Sequence, residues 1–440
     1  MLKGSGNNAV VMIKNIPLKS YIRLCAKVSR QTKEKVTSKS SPDVVKYLES
    51  CPDYKDLKDI IPKSLLRKYK APESMYLINR KTAKDIADNI KKIINSEAPL
   101  VEVNPGFGFL SEELLINQQK HIYMYETSNH FASHISHLQE KYPNKITFKE
   151  ADFFGMWKLA FMDKMDQGNR IQELLGSLST EENDRIVTII GSMPGLSFVK
   201  HLINNIIFHN TTNQLGRPDL FITMPGHHYE LLTDNAIQQH KHKSVPALFQ
   251  MLFDYKVLTS VPKVHFLPWM TQTTGKKVTL MDEHRLYLVN ITQKESLPCA
   301  PEYLPLLWYF FKPHMFSKST RVIPMLEQWI PGCGIWLITG QDPPDVNKEL
   351  APGTDDAKLP HMTIFTEFGD LTLNQKITVF KKFISWPEFE QCQFRITMEN
   401  NLPKFVTQLD ENKDIGAHVD DEDIDLEQSD AENDNETFVK

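Results

Sequence analysis

The stretch Val101-Glu-Val-Asn-Pro-Gly-Phe-Gly-Phe-Leu110 decides the fold of this 440-residue chain. It reads as an apolar strand, a turn with two glycines (Gly106 and Gly108), and the start of a helix. Glycine lets the backbone turn tightly and approach a ligand with no Cβ atom in the way. The next apolar run ends in Glu126, and a carboxylate at that place can accept both hydroxyls of a ribose. The pattern therefore predicts a strand–loop–helix unit that binds a nucleoside.

Two features that the loop lacks narrow the class of ligand. No Gly-Lys-Ser or Gly-Lys-Thr follows, which excludes a nucleotide-triphosphate loop, and the third glycine of the dinucleotide fingerprint is missing. The form Glu-x-Asn-Pro-Gly-x-Gly suits S-adenosylmethionine better than NAD. Another Rossmann-type ligand, or a loop that binds nothing, stays open as the alternative.

The order of segments predicts an α/β fold. Apolar strands with little alternation, set between helices, indicate a parallel sheet covered on both faces. Ligands of such sheets bind at the carboxyl ends of the strands, where the glycine loop, Glu126 and Asp152 all fall. Between Asp152 and residue 186 we expect an insertion that is partly helical and exposed. Further along, we expect a helix at 245–258, a strand at 285–292, and helices of a small second domain at 304–311, 321–329 and 373–383.

Two more polar positions follow predicted strands. Asp152 can accept the exocyclic amine of an adenine, or it only starts a turn or caps a helix. Gly191-Ser-Met-Pro-Gly195 follows the most apolar strand, where a methylase of base amino groups is expected to have an amide or carboxylate and an aromatic ring. Ser192 is the only polar candidate and Gly195 has no ring, so a plain turn into a helix is favoured over catalysis.

The length and charge of the chain limit which class of protein it can be. A chain of 440 residues, 41% of them hydrophobic, suggests two domains with tails. The net charge of −4 hides nine Lys/Arg in residues 1–41 and thirteen acids in residues 410–440. Because the middle is close to neutral, a nucleic-acid surface has to be a local patch. The five cysteines form no C-x-x-C pair, and no run of 18 apolar residues would span a membrane.

The two ends of the chain have opposite character. Residues 1–41 are basic and can form a short amphipathic helix, which predicts a mitochondrial targeting segment; the alternative is a basic arm that grips nucleic acid. Residues 410–440 are predicted to be an acidic disordered tail that solubilises the chain or mimics nucleic acid. Between them we predict a sheet-forming domain with a helical lead-in over 42–297 and a small, mostly helical domain over 298–409.

Histidine and basic clusters give weaker signals. His130, His134 and His137 share one helix face, but no Cys, Asp or Glu completes a set of metal ligands. A solvated face is therefore favoured and no metal is predicted. A basic group near the second domain fits a phosphate-binding patch and scattered solvated side chains equally well. It comprises Lys276, Lys277, Arg285, Lys312, Lys318 and Arg321.

Taken together, the motifs resemble the rRNA adenine N6-dimethylase family over about residues 70–400. The resemblance rests on Glu102-x-Asn-Pro-Gly-x-Gly-x-Leu, the strand to Glu126, Ala-Asp152-Phe-Phe and the strand before Gly191. The Asn-Pro-Gly variant, residues 247–257 before Pro268-Trp269, and Arg285-Leu-Tyr-Leu-Val289 look like its mitochondrial transcription factor B2 branch. This resemblance implies a Rossmann-like class I methyltransferase fold with a small helical C-terminal domain.

The resemblance also assigns a site for S-adenosylmethionine. By position, Asn104, Gly106 and Gly108 line the methionine end, Glu126 takes the ribose, and Asp152 takes the adenine amine. The complete set of implied cofactor-site residues is Leu77, Asn104, Gly106, Gly108, Glu126, Asp152 and Ser192.

The chain departs from the family pattern at two places. Met75 stands where the family usually has Asn, two residues before Leu77, which matches the apolar edge of the site. Ser192-Met-Pro-Gly195 stands where the family has Asn-Leu-Pro-Tyr, so that both the amide and the aromatic ring are replaced. Ser192 is then the only candidate catalytic residue, and it would have to orient the target amine together with a backbone carbonyl.

Likeness to the B2 branch implies a transcription initiation factor of the mitochondrial matrix and nucleoid. Such a factor binds mitochondrial RNA polymerase and stabilises single-stranded promoter DNA without sequence-specific readout, on a scaffold whose cofactor site is vestigial or retained. Two alternatives stay open. One is an active S-adenosylmethionine-dependent dimethyltransferase of the mitochondrial small-subunit rRNA, and the other is an inactive ribosome-assembly factor that binds rRNA.

Overall fold

A computed structural model gives the fold of most of the chain. It describes residues 40–54, 57, 60–95, 97–116, 120–179, 185–208, 215–233, 244–271, 281–311, 319–339 and 358–400. Nearly all of the predicted targeting segment, the whole acidic tail, and Lys276, Lys277, Lys312 and Lys318 lie outside these residues. In the part of the chain that is described, no helix has both the length and the apolar character needed to cross a bilayer.

A seven-stranded sheet lies at the centre. Its strands are β1 (Leu100–Val103), β2 (Ile122–Tyr125), β3 (Ile146–Lys149), β4 (Ile186–Ser192), β5 (Arg217–Pro225), β6 (Phe253–Pro262) and β7 (Arg285–Gln293). Their spatial order is β3-β2-β1-β4-β5-β7-β6. Strand β7 is antiparallel to both β5 and β6, and the other neighbouring pairs are parallel. The order reverses between β1 and β4, which opens a crevice at their carboxyl ends. The predicted Rossmann-like class I methyltransferase fold is confirmed.

Helices cover the sheet and continue beyond it. They are α1 (Pro42–Ser50), α2 (Arg80–Lys91), α3 (Phe109–Leu115), α4 (Ala132–Lys141), α5 (Met156–Asp166), α6 (Arg170–Leu175), α7 (Ser197–Phe208), α8 (Gly226–Thr233), α9 (Ser244–Leu252), α10 (Leu304–Phe310), α11 (Val322–Trp329), α12 (Cys333–Thr339) and α13 (Leu373–Ile384). Short 3₁₀ turns lie at Pro52–Tyr54, Asn129–Phe131, Gly176–Leu178, Lys263–His265, Pro301–Tyr303, Phe368–Asp370 and Phe389–Gln391. Residues 393–400 are also helical.

The central strands are buried on both faces. All four residues of β1 are buried, with Val101 and Val103 in one hydrophobic cluster and Leu100 in the other. A parallel strand covered by helices on both sides needs apolar side chains at successive positions. This requirement explains why the sequence shows a continuous apolar run before the glycine loop.

Two sequence expectations are wrong in detail. The helix expected over 245–258 ends at Leu252, and β6 starts at Phe253, because its alternating and β-branched residues pair with β7 as the edge of the sheet. The insertion after Asp152 is partly helical as expected, but it is not simply exposed. Ile171 and Leu174 of α6 are buried against the core.

The helices after residue 300 pack on the layer that covers the sheet. Trp308 of α10 contacts Phe208 of α7 edge-on, with 5.2 Å between ring centroids. Phe310 is fully buried, and its ring lies 5.3 Å from Phe380 and 6.4 Å from Phe394. Helices therefore occur where the second domain was expected, and the domain boundary at 297/298 stays a prediction.

A segment before α2 is attached to the segment that follows β6. Lys68–Tyr69 pairs in parallel with Trp269–Met270, and Tyr76–Leu77 pairs antiparallel with Phe266–Leu267. The Ile78 amide also donates to the His265 carbonyl at 2.9 Å. We call residues 68–78 the strap. These pairings set the position of Tyr76, which packs against Gly106 in the glycine loop.

Candidate functional site

The loop between β1 and α3 makes the tight turn that its two glycines predict. Asn104, Gly106 and Gly108 all have positive φ, of 56°, 58° and 74°. The Asn104 amide donates to the Tyr125 carbonyl at 2.8 Å, which joins the start of the loop to the end of β2. A Cβ atom at Gly108 would lie 2.3 Å from Cδ1 of Leu138, so a side chain there would force Leu138 to move and would also have to adopt a positive φ.

Glu126 follows β2 and lies against the same loop. It is only 1% exposed. Its Oε1 accepts from the Ser128 amide at 2.8 Å and from the Tyr76 hydroxyl at 3.1 Å, and its Oε2 accepts from the Gly106 amide at 3.3 Å. Burial raises the pKa of Glu126, and these donors oppose the rise. Glu126, the carboxylate assigned to a ribose, therefore already accepts hydrogen bonds from groups of the protein.

The motifs in the sequence miss Tyr76. Its side chain is 5% exposed, and its ring lies 4.7 Å from that of Phe131. A Cβ atom at Gly106 would lie 2.8 Å from Cδ1 of Tyr76, so the ring packs directly on the loop. One signal in the sequence could have found it. A phenol flanked by Met75 and Leu77 in a buried strand needs a buried hydrogen-bond partner, although the sequence does not say which.

Leu77 lies next to this tyrosine in the strap. It is buried, and its backbone pairs with Phe266 in the segment that follows β6. Its predicted role is to form the apolar edge of the ligand site. The structure gives it an apolar, buried place, and the role itself stays a prediction.

Asp152 lies just after β3 and is exposed. Its Oδ1 accepts from the Gly155 amide at 2.8 Å, so it starts the turn that leads into α5. This contact is the one expected of a turn-forming Asp. Strand β3 neighbours β2, so Asp152 shares the carboxyl edge of the sheet with Glu126. The assigned contact with an adenine amine stays a prediction.

Ser192 is the last residue of β4 and is half-buried. It lies opposite Thr223 of β5, and the next amide, that of Met193, donates to the Thr223 carbonyl at 2.9 Å. A Cβ atom at Gly191 would lie 2.8 Å from the Phe154 ring, whereas one at Gly195 would meet nothing within 4 Å among the residues described. The place where the family pattern has an aromatic ring is therefore open around Gly195.

A second buried carboxylate, Glu102, lies within β1. It is 2% exposed, and its Oε2 has no hydrogen-bond partner in the described part of the protein. Burial raises the pKa of Glu102 to about 7. The sequence identified this residue as part of the motif but gave no sign that its side chain turns into the core.

The weaker signals have mixed outcomes. His130 and His137 are exposed as expected, but His134 is half-buried, its ring is 5.3 Å from Phe107, and burial lowers its pKa. Arg285 donates through Nε to the Ser260 hydroxyl at 2.8 Å, and Arg321 lies over the Phe365 ring at 5.3 Å. Within the ranges described, no three His, Cys, Asp or Glu side chains gather as a metal site would require.

The site fits an adenosyl ligand in residue type but not in arrangement. Asn104, Gly106, Gly108 and Glu126 lie together at the carboxyl edge of β1 and β2, as a nucleoside site needs. The Tyr76 hydroxyl, however, occupies Glu126 Oε1, and almost none of the Glu126 side chain is accessible. A ribose diol at this place would therefore meet the Tyr76 hydroxyl already bonded to Glu126.

Comparisons with known proteins identify the family of the chain. Residues 66–332 match the family model described as "Ribosomal RNA adenine dimethylase". The chain is 34% identical over 397 residues to "Dimethyladenosine transferase 2, mitochondrial" of Drosophila melanogaster, with 83% of this chain and 88% of that protein covered.

Solved structures with a similar fold include the 23S rRNA methyltransferase ErmE, with a TM-score of 0.43 and 11% identity over 70% of this chain and 99% of that chain. A dimethyladenosine transferase from Plasmodium falciparum has a TM-score of 0.41 and 13% identity over 70% of this chain and 97% of that one. The family model spans more than half of the sequence, and the Drosophila relative spans more than two thirds. The chain belongs to the ribosomal RNA adenine dimethylase family.

Proposed function

We propose that this chain is a mitochondrial transcription initiation factor built on a methyltransferase scaffold. It binds mitochondrial RNA polymerase and stabilises melted promoter DNA. The end of β4, where Ser192 and Gly195 replace the amide and the aromatic ring that hold a target base, favours this proposal over methylation. Without these groups the edge of the sheet keeps its shape and loses the contacts that orient an amine for methylation. The segments that resemble the B2 branch, such as Arg285-Leu-Tyr-Leu-Val289, favour it over an inactive ribosome-assembly factor.

Mitochondrial location, in the matrix and nucleoid, is part of the proposal. It is supported by the basic composition of residues 1–41, which has the character of a targeting segment. The name of the Drosophila relative, a mitochondrial dimethyladenosine transferase, supports it as well.

The proposed contact with DNA is to an unpaired strand and does not read sequence. A fold that evolved to accept a base turned out of its helix offers a crevice at the carboxyl ends of β1 and β4 for such a strand. Binding of this kind depends on Lys and Arg contacts to phosphate, so the affinity falls steeply as salt rises.

The second candidate is an active S-adenosylmethionine-dependent rRNA adenine N6,N6-dimethyltransferase of the mitochondrial small subunit. The printed name of the Drosophila relative, a dimethyladenosine transferase, favours it. So does the glycine loop, in which Asn104, Gly106 and Gly108 keep the positive φ values of a nucleoside-binding turn. Here Ser192 and a backbone carbonyl have to orient the target amine.

The deciding experiment pairs two measurements on one preparation. Run-off transcription from a mitochondrial promoter is measured with purified mitochondrial RNA polymerase, with and without the full chain. Transfer of tritiated methyl groups from S-adenosylmethionine to the small-subunit rRNA hairpin is measured in parallel. We expect stimulated transcription and methyl transfer close to background; robust methylation without stimulation would replace the proposal with the second candidate.

A variant separates the two activities within the same chain. Glu126→Gln keeps the size of the side chain and removes the charge that a ribose diol would need. We expect it to abolish binding of S-adenosylmethionine and to leave stimulation of the polymerase mostly intact. Equal loss of both would mean that the cofactor takes part in transcription.

A further inference from the structure

The Tyr76 hydroxyl makes the contact that a bound ribose would otherwise make. It donates to Glu126 Oε1 at 3.1 Å, while amides of Ser128 and Gly106 donate to the same carboxylate. Burial comes first, and the carboxylates of Glu126 and Asp152 add to it, in raising the pKa of Tyr76 above its ordinary range. The phenol therefore contacts the carboxylate to which the ribose of the cofactor is assigned.

The backbone of the strap holds this tyrosine from outside the glycine loop. Tyr76 pairs with Leu267, and the Ile78 amide donates to the His265 carbonyl at 2.9 Å. On the other side, the ring packs on Gly106 and on the ring of Phe131. Backbone pairing and ring packing therefore both hold Tyr76 beside the glycine loop, with its hydroxyl on Glu126.

The hydroxyl is not needed for packing. A phenylalanine would fill the same space between Gly106 and Phe131, and a buried hydroxyl is unfavourable unless it finds a partner. Its partner here is the carboxylate that ends β2, and Glu126 is left only 1% exposed. In this arrangement Glu126 is closed off from solvent, and its hydrogen bonds are made to groups of the protein itself.

We propose that Tyr76 competes with the ribose of S-adenosylmethionine for Glu126 and so sets the affinity of this chain for the cofactor. The inference rests on the assignment of Glu126 as the ribose ligand within the proposed function. It deepens that function, because a cofactor site held shut by the chain's own side chain suits a factor that uses the scaffold and not the chemistry.

The test is binding of S-adenosylhomocysteine to the full chain by isothermal titration calorimetry. Tyr76→Phe removes only the hydroxyl and keeps the ring, and Tyr76→Ala removes both. A hydrogen bond to a buried carboxylate is strong enough that we expect Tyr76→Phe to bind at least about tenfold more tightly than the wild type. We expect Tyr76→Ala to bind more tightly still if it folds, and Tyr76→Phe decides the question if it does not.

Tyr125→Phe is the matched control. Tyr125 is buried one residue before Glu126, but its hydroxyl donates to the Leu174 carbonyl at 3.0 Å and not to Glu126. Removing this hydroxyl destabilises the fold by one buried hydrogen bond and leaves the Tyr76–Glu126 hydrogen bond intact. We expect its affinity for S-adenosylhomocysteine to match that of the wild type within about twofold, and thermal unfolding shows that each variant is folded.

Two results would overturn the proposal. One is an equal affinity of the wild type and Tyr76→Phe. The other is a gain that persists when Glu126→Gln is added to Tyr76→Phe, because the gain must act through this carboxylate. Neither polymerase nor RNA is present in these titrations, so their failure leaves the proposed transcription role standing. A failure of run-off stimulation likewise leaves the competition between Tyr76 and ribose to be judged by binding alone.

Discussion

The main-chain amide of Gly106 donates to Oε2 of Glu126 at 3.3 Å, so the glycine loop and the end of β2 form one unit. A Cβ atom at Gly106 would lie 2.8 Å from Tyr76 Cδ1, and φ there is +58°. Side chains rarely adopt this φ, and the ring that a Cβ atom would meet belongs to a residue whose backbone is held by strand pairing. The loop, the carboxylate and the strap therefore constrain one another.

Replacing Gly106 by Ala should destabilise the fold. The left-handed φ and the close approach of Tyr76 both oppose a Cβ atom, and together we expect them to cost about 1–3 kcal/mol of unfolding free energy. Denaturant unfolding followed by circular dichroism measures the change. Gly195→Ala is the control, since a Cβ atom there meets no described residue within 4 Å and the change should stay within about 0.5 kcal/mol. Similar losses in the two variants would refute the steric account of the loop.

Asn104 occupies the first left-handed position of the loop, with φ of 56°. Asn tolerates this conformation better than other side chains do, and Gly tolerates it best. We expect Asn104→Gly to be neutral or slightly stabilising and Asn104→Ala to lose about 1 kcal/mol. Asn144→Ala, at φ of 62° in a turn away from the loop, calibrates the backbone effect alone. We expect Asn104→Ala to lose no more unfolding free energy than Asn144→Ala does. An Asn104→Gly variant less stable than Asn104→Ala would contradict this explanation.

Sequence reasoning reached the parts of this protein that depend on local pattern. Apolar runs and glycine spacing predicted β1, the loop and the position of Glu126, because each is encoded within a few neighbouring residues. The contact between Tyr76 and Glu126 could not be predicted in this way. It depends on pairing of the strap with Phe266, nearly 200 positions away, and no local period encodes that register.

Other differences have the same physical origin. The segment from Phe253 has enough apolar residues to continue a helix, and only its pairing with β7 makes it a strand. The sequence placed Glu102 in the motif but did not predict that its side chain is buried. That burial follows from the helices that cover both faces of β1. Tertiary context decided both cases.

Stability should fall as pH rises because of Glu102. Burial raises its pKa from 4.5 to about 7, so the folded state binds the proton more tightly than the unfolded state does. The stabilisation is complete below pH 4.5, is lost as the pH approaches 7, and amounts to something on the order of 3 kcal/mol. Glu102→Gln cannot titrate, so its unfolding free energy should depend less on pH over this window.

The measurement is denaturant unfolding at about pH 5, 6, 7 and 8, which covers the pH range in which Glu102 titrates. Glu140→Gln serves as the control, because Glu140 is exposed and its removal should leave the wild-type slope unchanged. If Glu102→Gln kept the full wild-type dependence on pH, ionisation of Glu102 would not be its source. The unfolding free energy of Glu102→Gln should still depend on pH to some extent, because burial also raises the pKa of Glu126.

Gly195 lies at the carboxyl edge of the sheet, three residues after Ser192, and a Cβ atom there would meet none of the residues that the structure describes within 4 Å. An aromatic ring placed there should be tolerated and should give an unpaired base a surface on which to stack. Stacking of this kind contributes about 1–3 kcal/mol per base, so Gly195→Tyr should bind a short adenine-rich single strand about tenfold more tightly. Fluorescence anisotropy measures this affinity, and Gly195→Leu controls for added apolar bulk without a ring. An abasic strand should show no gain with the tyrosine variant; an equal gain on both strands would mean that the ring at this position does not meet a base.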